Sequence, residues 1–480
     1  MNQANLIKPL KIKHTSNKPN NQLQVAQTIV DAQYSATTYI YQLPKGTKLI
    51  HTIDPKTADT IIRAFFKAGA LYEEQHGVPS GTSHFLEHII GGNPNSKFKT
   101  KSAIDNYVYG DASRPSIINN AWTSRFLHGY WAYTNSQGES RLADYMKYKL
   151  IYPIENIGKY IEKERKIILA ERGEHPKISE DWYRQLLSFL FNGSTRYSGY
   201  VLGEIESIKA ITKEDIEKYY TKALIQPKLA FSLQSPTASI NPQLLNALNS
   251  IESEYATTHS NGTYDIEESF ENSYQIDYFR DKKADSVSFF LFFFEKESLH
   301  IDYAKRAKNY LLQNLLSKLI FDILREKLGY IYSSRMITDS SLTQTYDLIG
   351  MNLKCTLGNL TKALDQLYKI VFIEAQKFLI SKNGVRWLND IISSYLFPNT
   401  YEFDRSYAFI KASTLLHGHE IADFEKEKKS VAETTTDDII IEMQRIFKIP
   451  MRVFITSDLD EKTVIQAYKK SHLHNHFSQL

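Results

Sequence analysis

Only one cysteine, Cys355, occurs in the 480 residues, so a disulfide framework within the chain is excluded, and so is a zinc ribbon built on thiolates. A reducing compartment fits that usage. No apolar run approaches the roughly 18 residues that cross a bilayer. The longest, SVSFFLFFF (Ser286–Phe294), is aromatic and of strand length, and reads as a buried strand. Neither sign of charge is in short supply: 58 basic and 54 acidic side chains leave a net +4. With no dense Lys/Arg patch either, no nucleic-acid partner is expected. The opening stretch MNQANLIKPLKIKHTSNKPNNQ lacks an apolar core for a signal peptide, lacks arginine, and is followed by no acid before Asp31. Residues 1–30 therefore read as a flexible extension, with no membrane partner and the cytoplasm as the default location.

What is present is ordinary globular material, 42% apolar and 23% charged. The length implies two to four domains. A repeat organises them. TKEDIEKYYTKALIQPKLAFSLQS (Thr212–Ser235) and TTDDIIIEMQRIFKIPMRVFITSD (Thr435–Asp458) share a Thr-x-x-Asp helix start, an apolar-periodic helix, a proline and a strand with a central Phe, all offset by 223 residues. The same offset carries Ile61–Gly69 to the start of SVSFFLFFF, which indicates a duplicated domain. The copies are placed at 31–235 and 268–480, joined by a polar linker over 236–267. Strands are expected at 37–43, 47–53, 60–68, 125–134 and 228–234, and helices at 83–91, 140–150, 156–174, 179–191 and 212–223. The order implies an α+β fold with mainly antiparallel sheets covered by helices.

Chemistry concentrates in GTSHFLEH (Gly81–His88). With Ser80 or Thr82 as N-cap, a helix places His84 and His88 at i and i+4, about 40° apart on one face. Such a pair can bind one zinc ion. Glu87 lies on the same side, where it can take a proton from a water that zinc has acidified to about pKa 7. The order H-x-x-E-H is the inverse of the commoner zinc-peptidase motif. Alone, the pentapeptide fits the surface of an amphipathic helix equally well. A catalytic zinc also needs a third protein ligand. YIEKERKIILAERGEH (Tyr160–His175) offers Glu164 and Glu171, two turns apart on one helix face.

Taken together, RAFFKAGALYEEQHGVPSGTSHFLEH resembles the active-site segment of the pitrilysin, insulin-degrading-enzyme and mitochondrial-processing-peptidase family of zinc metallopeptidases. The resemblance implies one zinc per chain, with Glu171 as third ligand and Glu164 as the acid that supports the site. The 83 residues from His88 to Glu171 are towards the long end for the family, which implies a small insertion near Asn93–Ser113. NNAWTS (Asn119–Ser124) resembles the family's edge strand, which implies that Asn120 and Ala121 contact an extended peptide substrate. Where the family continues with an acid and Thr, this chain has Arg125-Phe126-Leu127-His128. LREKLGYIYSS (Leu324–Ser334) resembles the family's Arg/Tyr pair, which implies that Arg325 and Tyr332 steady a developing oxyanion.

Family enzymes form a closed clamshell chamber from four such domains, and this chain has half of one. The resemblance therefore implies a homodimer with Arg325 and Tyr332 supplied in trans, a heterodimer with a related chain being the alternative. Adding 223 to 84–88 gives AKNYL (Ala307–Leu311), so the second copy carries no metal motif. HLHNH (His472–His476) reads as a mobile tail, HGH (His417–His419) as a helix-end turn, and His175 as a solvated residue after the ligand helix.

Overall fold

The computed structural model describes residues 23–480 apart from 32–35, 153–155, 175–176, 225–228, 256–272, 297–299, 339–345, 398–410, 412–413 and 417. Seven strands build the first sheet: β1 (Gln24–Asp31), β2 (Ala36–Gln42), β3 (Lys48–Ile53), β4 (Asp59–Phe66), β5 (Ile118–Thr123), β6 (His128–Asn135) and β7 (Leu229–Ser235). Their order is β1-β2-β3-β7-β4-β6-β5. Five build the second: β8 (Gln275–Arg280), β9 (Val287–Lys296), β10 (Ser333–Thr338), β11 (Tyr346–Cys355) and β12 (Arg452–Ser457), in the order β10-β11-β9-β12-β8. All neighbours are antiparallel except β3/β7 and β8/β12. The chain is thus α+β with helix-covered, mainly antiparallel sheets, and the second sheet repeats the five strands β5-β6-β4-β7-β3 of the first, without counterparts of β1 and β2.

The internal repeat is visible in detail. Thr212 with Asp215, and Thr435 with Asp438, close reciprocal capping boxes at the two equivalent helices. The offset of 223 holds there and from β7 to β12, but not at the central strand. Ala64 pairs with Phe231, whereas Phe290 pairs with Phe454, so β4 and β9 differ by 290 minus 64, or 226. Pattern matching missed this slip of three because the apolar runs of the two strands can be laid over one another at either offset. At either offset, the positions equivalent to His84 and His88 hold Ala307 and Leu311, or Tyr310 and Asn314.

Three expectations are corrected. Residues 24–30 are not extension but most of β1, which buries Ile29 and pairs along β2. The expected linker contains a helix, Pro242–Tyr255, packed along the helix α3 described below. Its polar composition hides Leu244, Leu248, Ile251 and Tyr255, which recur at helical spacing and are all buried. Residues 256–267 lie outside the described set. His472–His476 is not a tail: Ser471 caps a short helix there, Leu473 and Phe477 are fully buried, and Tyr274 Oη lies 2.6 Å from His474 Nδ1. HGH lies at a helix end with Gly418 at φ 83°, while His417 is outside the described residues.

Five helices position the site: α1 (Thr82–Gly92), α2 (Lys101–Val108), α3 (Glu139–Leu150), α4 (Ile157–Glu174) and α5 (Lys177–Leu190). Of these, α2 occupies the region of the expected insertion. Helices α1 and α3 cover one face of the first sheet around Phe66, Tyr130 and Phe231. Helix α5 lies between the sheets, where Leu186, Leu187 and Leu190 join Phe65, Phe292, Phe294 and Phe454 in one cluster. Arg452 of β12, 2% exposed, donates at 2.6 Å to the carbonyls of Phe189 and Leu190 and to Asn192 Oδ1. It therefore satisfies the last carbonyls of α5. Arg452→Met keeps the bulk and orphans buried acceptors. It is expected to cost at least ~3 kcal/mol, measured by denaturant melts. Among the described residues no helix is long and apolar enough to cross a membrane.

Candidate active site

Helix α1 starts differently from the sequence expectation. Its N-cap is Gly81, at φ 93° and with no side-chain cap, rather than Ser80 or Thr82. The acceptor arrives from another turn: the buried Glu73 carboxylate receives the N–H of Gly81 at 3.0 Å and of Ser83 at 2.7 Å. Burial pushes this carboxyl up to about 8, against the lowering pull of those two N–H bonds. Gly81 also touches Gly203 so closely that a Cβ on it would lie 2.7 Å from the Leu202 carbonyl oxygen. Arg172 of α4 donates from Nε to the Gly203 carbonyl at 3.2 Å. The head of α1 and the end of α4 are therefore tied through one glycine contact.

That tie brings three donors together. Nε2 of His84 and of His88 lie 3.7 and 3.4 Å from Glu171 Oε2. The imidazole centroids are 4.7 Å apart with planes at 74°. Two ligands that each sit about 2.0–2.1 Å from a tetrahedral zinc are separated by about 3.3 Å, close to the observed spacings. His84, His88 and Glu171 form the single group of this kind among the described residues, with donor atoms all within 4.8 Å of one another. Three donors with no fourth among the described residues match a catalytic zinc rather than a closed structural one. The residues fit the ion.

Glu164 stands behind His88, with Oε2 3.3 Å from Nδ1. Asn93 Nδ2 and Lys163 Nζ donate to its other oxygen at 3.0 and 2.9 Å. Burial alone would raise this carboxyl, but the bonds from His88, Lys163 and Asn93 outweigh it and hold it down to about 2. An ionised carboxylate there fixes Nδ1 as the protonated nitrogen and leaves Nε2 for a metal. Glu164→Gln is expected to weaken zinc binding roughly 10–100-fold, read by competition with a chromogenic chelator. Unchanged affinity would remove Glu164 from the site.

Glu87 points to β5, where Thr123 Oγ1 donates to its Oε2 at 2.8 Å. Burial lifts the Glu87 carboxyl above its ordinary range, while the Thr123 bond and the charge of His88 pull it back. The lift suits a general base working near neutrality. Asn120 and Ala121 lie on β5, a terminal strand of the first sheet whose outer edge is unpaired among the described residues. The Ala121 N–H is paired with Asn120 Oδ1 at 2.9 Å. Arg125 is turned away from the cluster, reaching the Tyr183 hydroxyl and the carbonyls of Tyr197 and Gly199. His128 is buried and bonded to the Tyr130 hydroxyl at 2.6 Å.

Arg325 and Tyr332 are not brought to this cluster within the chain. The Arg325 guanidinium lies over Phe321, and Tyr332 is 56% exposed. His175 is outside the described residues. Reading the sequence missed Glu73, Asn93, Thr123, Lys149 and Lys163. Thr123 alone left a signal, as the Thr of NNAWTS.

No protein-family model matches the chain. Sequence similarity links it to the beta subunit of the mitochondrial-processing peptidase of Saccharomyces cerevisiae, 26% identical over 209 residues, or 43% of each chain. The match thus spans less than half the length of that relative. The fold is similar to that of pitrilysin, with a TM-score of 0.71 and 12% identity over 93% of this chain and 50% of that one. It is also similar to an inactive peptidase M16 domain from Pseudomonas fluorescens, with a TM-score of 0.68 and 14% identity over 88% of this chain and 98% of that one. The chain is thus similar in sequence to part of a processing-peptidase beta subunit and shares its fold with half of pitrilysin.

Proposed function

We propose that the chain is a zinc-dependent endopeptidase that cuts unfolded peptides and oligopeptides inside a chamber closed by a second copy. The observation that carries this reading is the convergence of His84, His88 and Glu171, with Glu87 beside them and no fourth protein ligand among the described residues. Zinc held by these donors supplies a Lewis acid and brings the pKa of a water down to about 7. The rest falls to the chain's own groups. Glu87, oriented through one oxygen by Thr123, takes the water proton on the other and later passes it to the leaving amine. Glu164 keeps His88 turned so that Nε2 faces the cluster. A peptide lies as an added strand along Asn120–Ala121 and displaces the Asn120 carboxamide from the Ala121 N–H. Arg325 and Tyr332, exposed on the second half, steady the oxyanion from the partner copy.

The second reading is a non-catalytic or partner-dependent subunit of a processing-peptidase heterodimer. The likeness to an inactive domain shows that this fold does not require catalysis. The complete donor set favours the enzyme. Zinc content, subunit stoichiometry and hydrolysis of a quenched fluorescent peptide library decide between them. Zinc-loaded homodimers that cut unfolded peptides and spare folded proteins are expected. A zinc-loaded homodimer that cuts nothing would sink the enzyme reading.

A further inference from the structure

Lys149, near the end of α3, is 4% exposed. Its ammonium donates to Asn119 Oδ1 at 3.2 Å and lies 3.5 Å from the Tyr145 hydroxyl. Tyr145 donates to the same Asn119 oxygen at 2.7 Å. The rings of Tyr130 and Tyr145 flank the charge, with centroids 5.6 and 5.5 Å away. Among the described residues no carboxylate pairs with it. The acid that attracts it is Glu87, across the site, while Lys101 of α2 repels it. A buried, unpaired ammonium is costly and persists where something depends on it.

Its place suggests what that is. Side chains at 119, 121 and 123 share one face of β5 by the two-residue period of a strand. Asn119 is gripped from α3 by Lys149 and Tyr145, and Thr123 grips Glu87 on α1. The free-edge strand is therefore pinned at both ends of the stretch Asn119–Thr123, once to a buried cation and once to the base.

The geometry points to Lys149 as a positioning residue that holds β5 in fixed register against Glu87, so that an extended peptide adds to the free edge in one alignment. The inference rests on the peptidase reading only in taking an extended peptide as the occupant of β5. Burial drags the ammonium down to about 8, and the Glu87 charge partly restores it. The groups facing it are Tyr145 from its own helix, Tyr130 from β6, Glu87 from α1 and Lys101 from α2. Peptide affinity therefore falls as pH rises past about 8 and the charge on Lys149 is lost.

The test uses the full-length, zinc-loaded Glu87→Gln protein, which binds without cutting, and a fluorescein-labelled unfolded peptide followed by anisotropy. Adding Lys149→Met is expected to weaken binding roughly tenfold, Lys149→Arg to restore most of it, and Asn119→Ala to weaken it alike. The double variant Lys149→Met/Asn119→Ala should be little worse than either single change. In the cutting enzyme, Lys149→Met should raise KM more than it lowers kcat. Without the Glu87 charge to support the ammonium, the fall in affinity in the Glu87→Gln background should set in below about pH 8, and it should vanish once Lys149→Met is added. Full affinity in Lys149→Met, failure of arginine to restore it, additive losses in the cycle, or no peptide binding by any of the proteins overturns the inference. Wild-type protein that binds peptide with this Lys149 dependence and leaves it uncut supports the inference while sinking the peptidase reading.

Discussion

Glu87→Gln is expected to cut peptide hydrolysis by at least roughly 10³-fold while leaving zinc content and fold intact. Glutamine keeps the shape and can still accept the 2.8 Å bond from the Thr123 hydroxyl. What it lacks is a basic oxygen. Because Glu87 is not among the three converging donors, metal analysis should still find one zinc per chain. Hydrolysis that survives the substitution would move the base elsewhere. The retained zinc makes this variant the cleanest discriminator, since loss of activity cannot then be assigned to loss of metal. Thr123→Val should show a milder version, lowering kcat roughly tenfold by freeing the carboxylate to rotate.

Glu171→Ala is expected to have the second large effect, removing bound zinc and activity together. Glu171 Oε2 reaches the Nε2 atoms of both histidines, at 3.7 and 3.4 Å, so its loss leaves an i, i+4 histidine pair without the third donor. The drop in zinc affinity should exceed the roughly 10–100-fold expected for a residue that only orients a ligand. Equilibrium dialysis against buffered zinc measures it, and a Glu171→Ala protein that keeps its metal would discard the three-donor site. The same site predicts a proton cost. Burial lowers the affinity of His88 for a proton, but the hydrogen bond to Glu164 and the charges of Glu87, Glu171 and Glu164 outweigh it, raising its pKa above the ordinary value. Zinc must displace that proton, so metal affinity should climb as pH rises above the ordinary histidine range, with proton release on binding.

The parts of the site that could be read from sequence are those set by local periodicity. His84, Glu87 and His88 fall on one turn of one helix, and Glu164 and Glu171 are two turns apart on another. The strand and helix segments with clear periods were likewise legible, and with them the fold class. Glu73 was not, because its carboxylate caps α1 only after the chain doubles back over residues 73–81, and local capping rules look to Ser80 and Thr82. Asn93 and Lys149 were hidden for a related reason: each reaches the site across a packing interface, and neither residue type carries a spacing rule. The helix Pro242–Tyr255 was lost to average polarity, although its buried positions keep helical spacing. The three-residue slip of β9 was lost because the apolar run Phe289–Phe294 carries no register mark of its own.

The grip of Arg452 on the end of α5 has a bearing on how the chain is made. The guanidinium and the Phe189 carbonyl it holds are 263 residues apart. A ribosome adding about 5–20 residues each second therefore leaves the end of α5 uncapped for roughly 13–50 s. Over that interval the apolar face of α5, with Leu186, Leu187 and Leu190, lacks Phe292, Phe294 and Phe454 until each is synthesised. Nascent chains stalled between these two points should recruit chaperones strongly, and release should coincide with the emergence of β12.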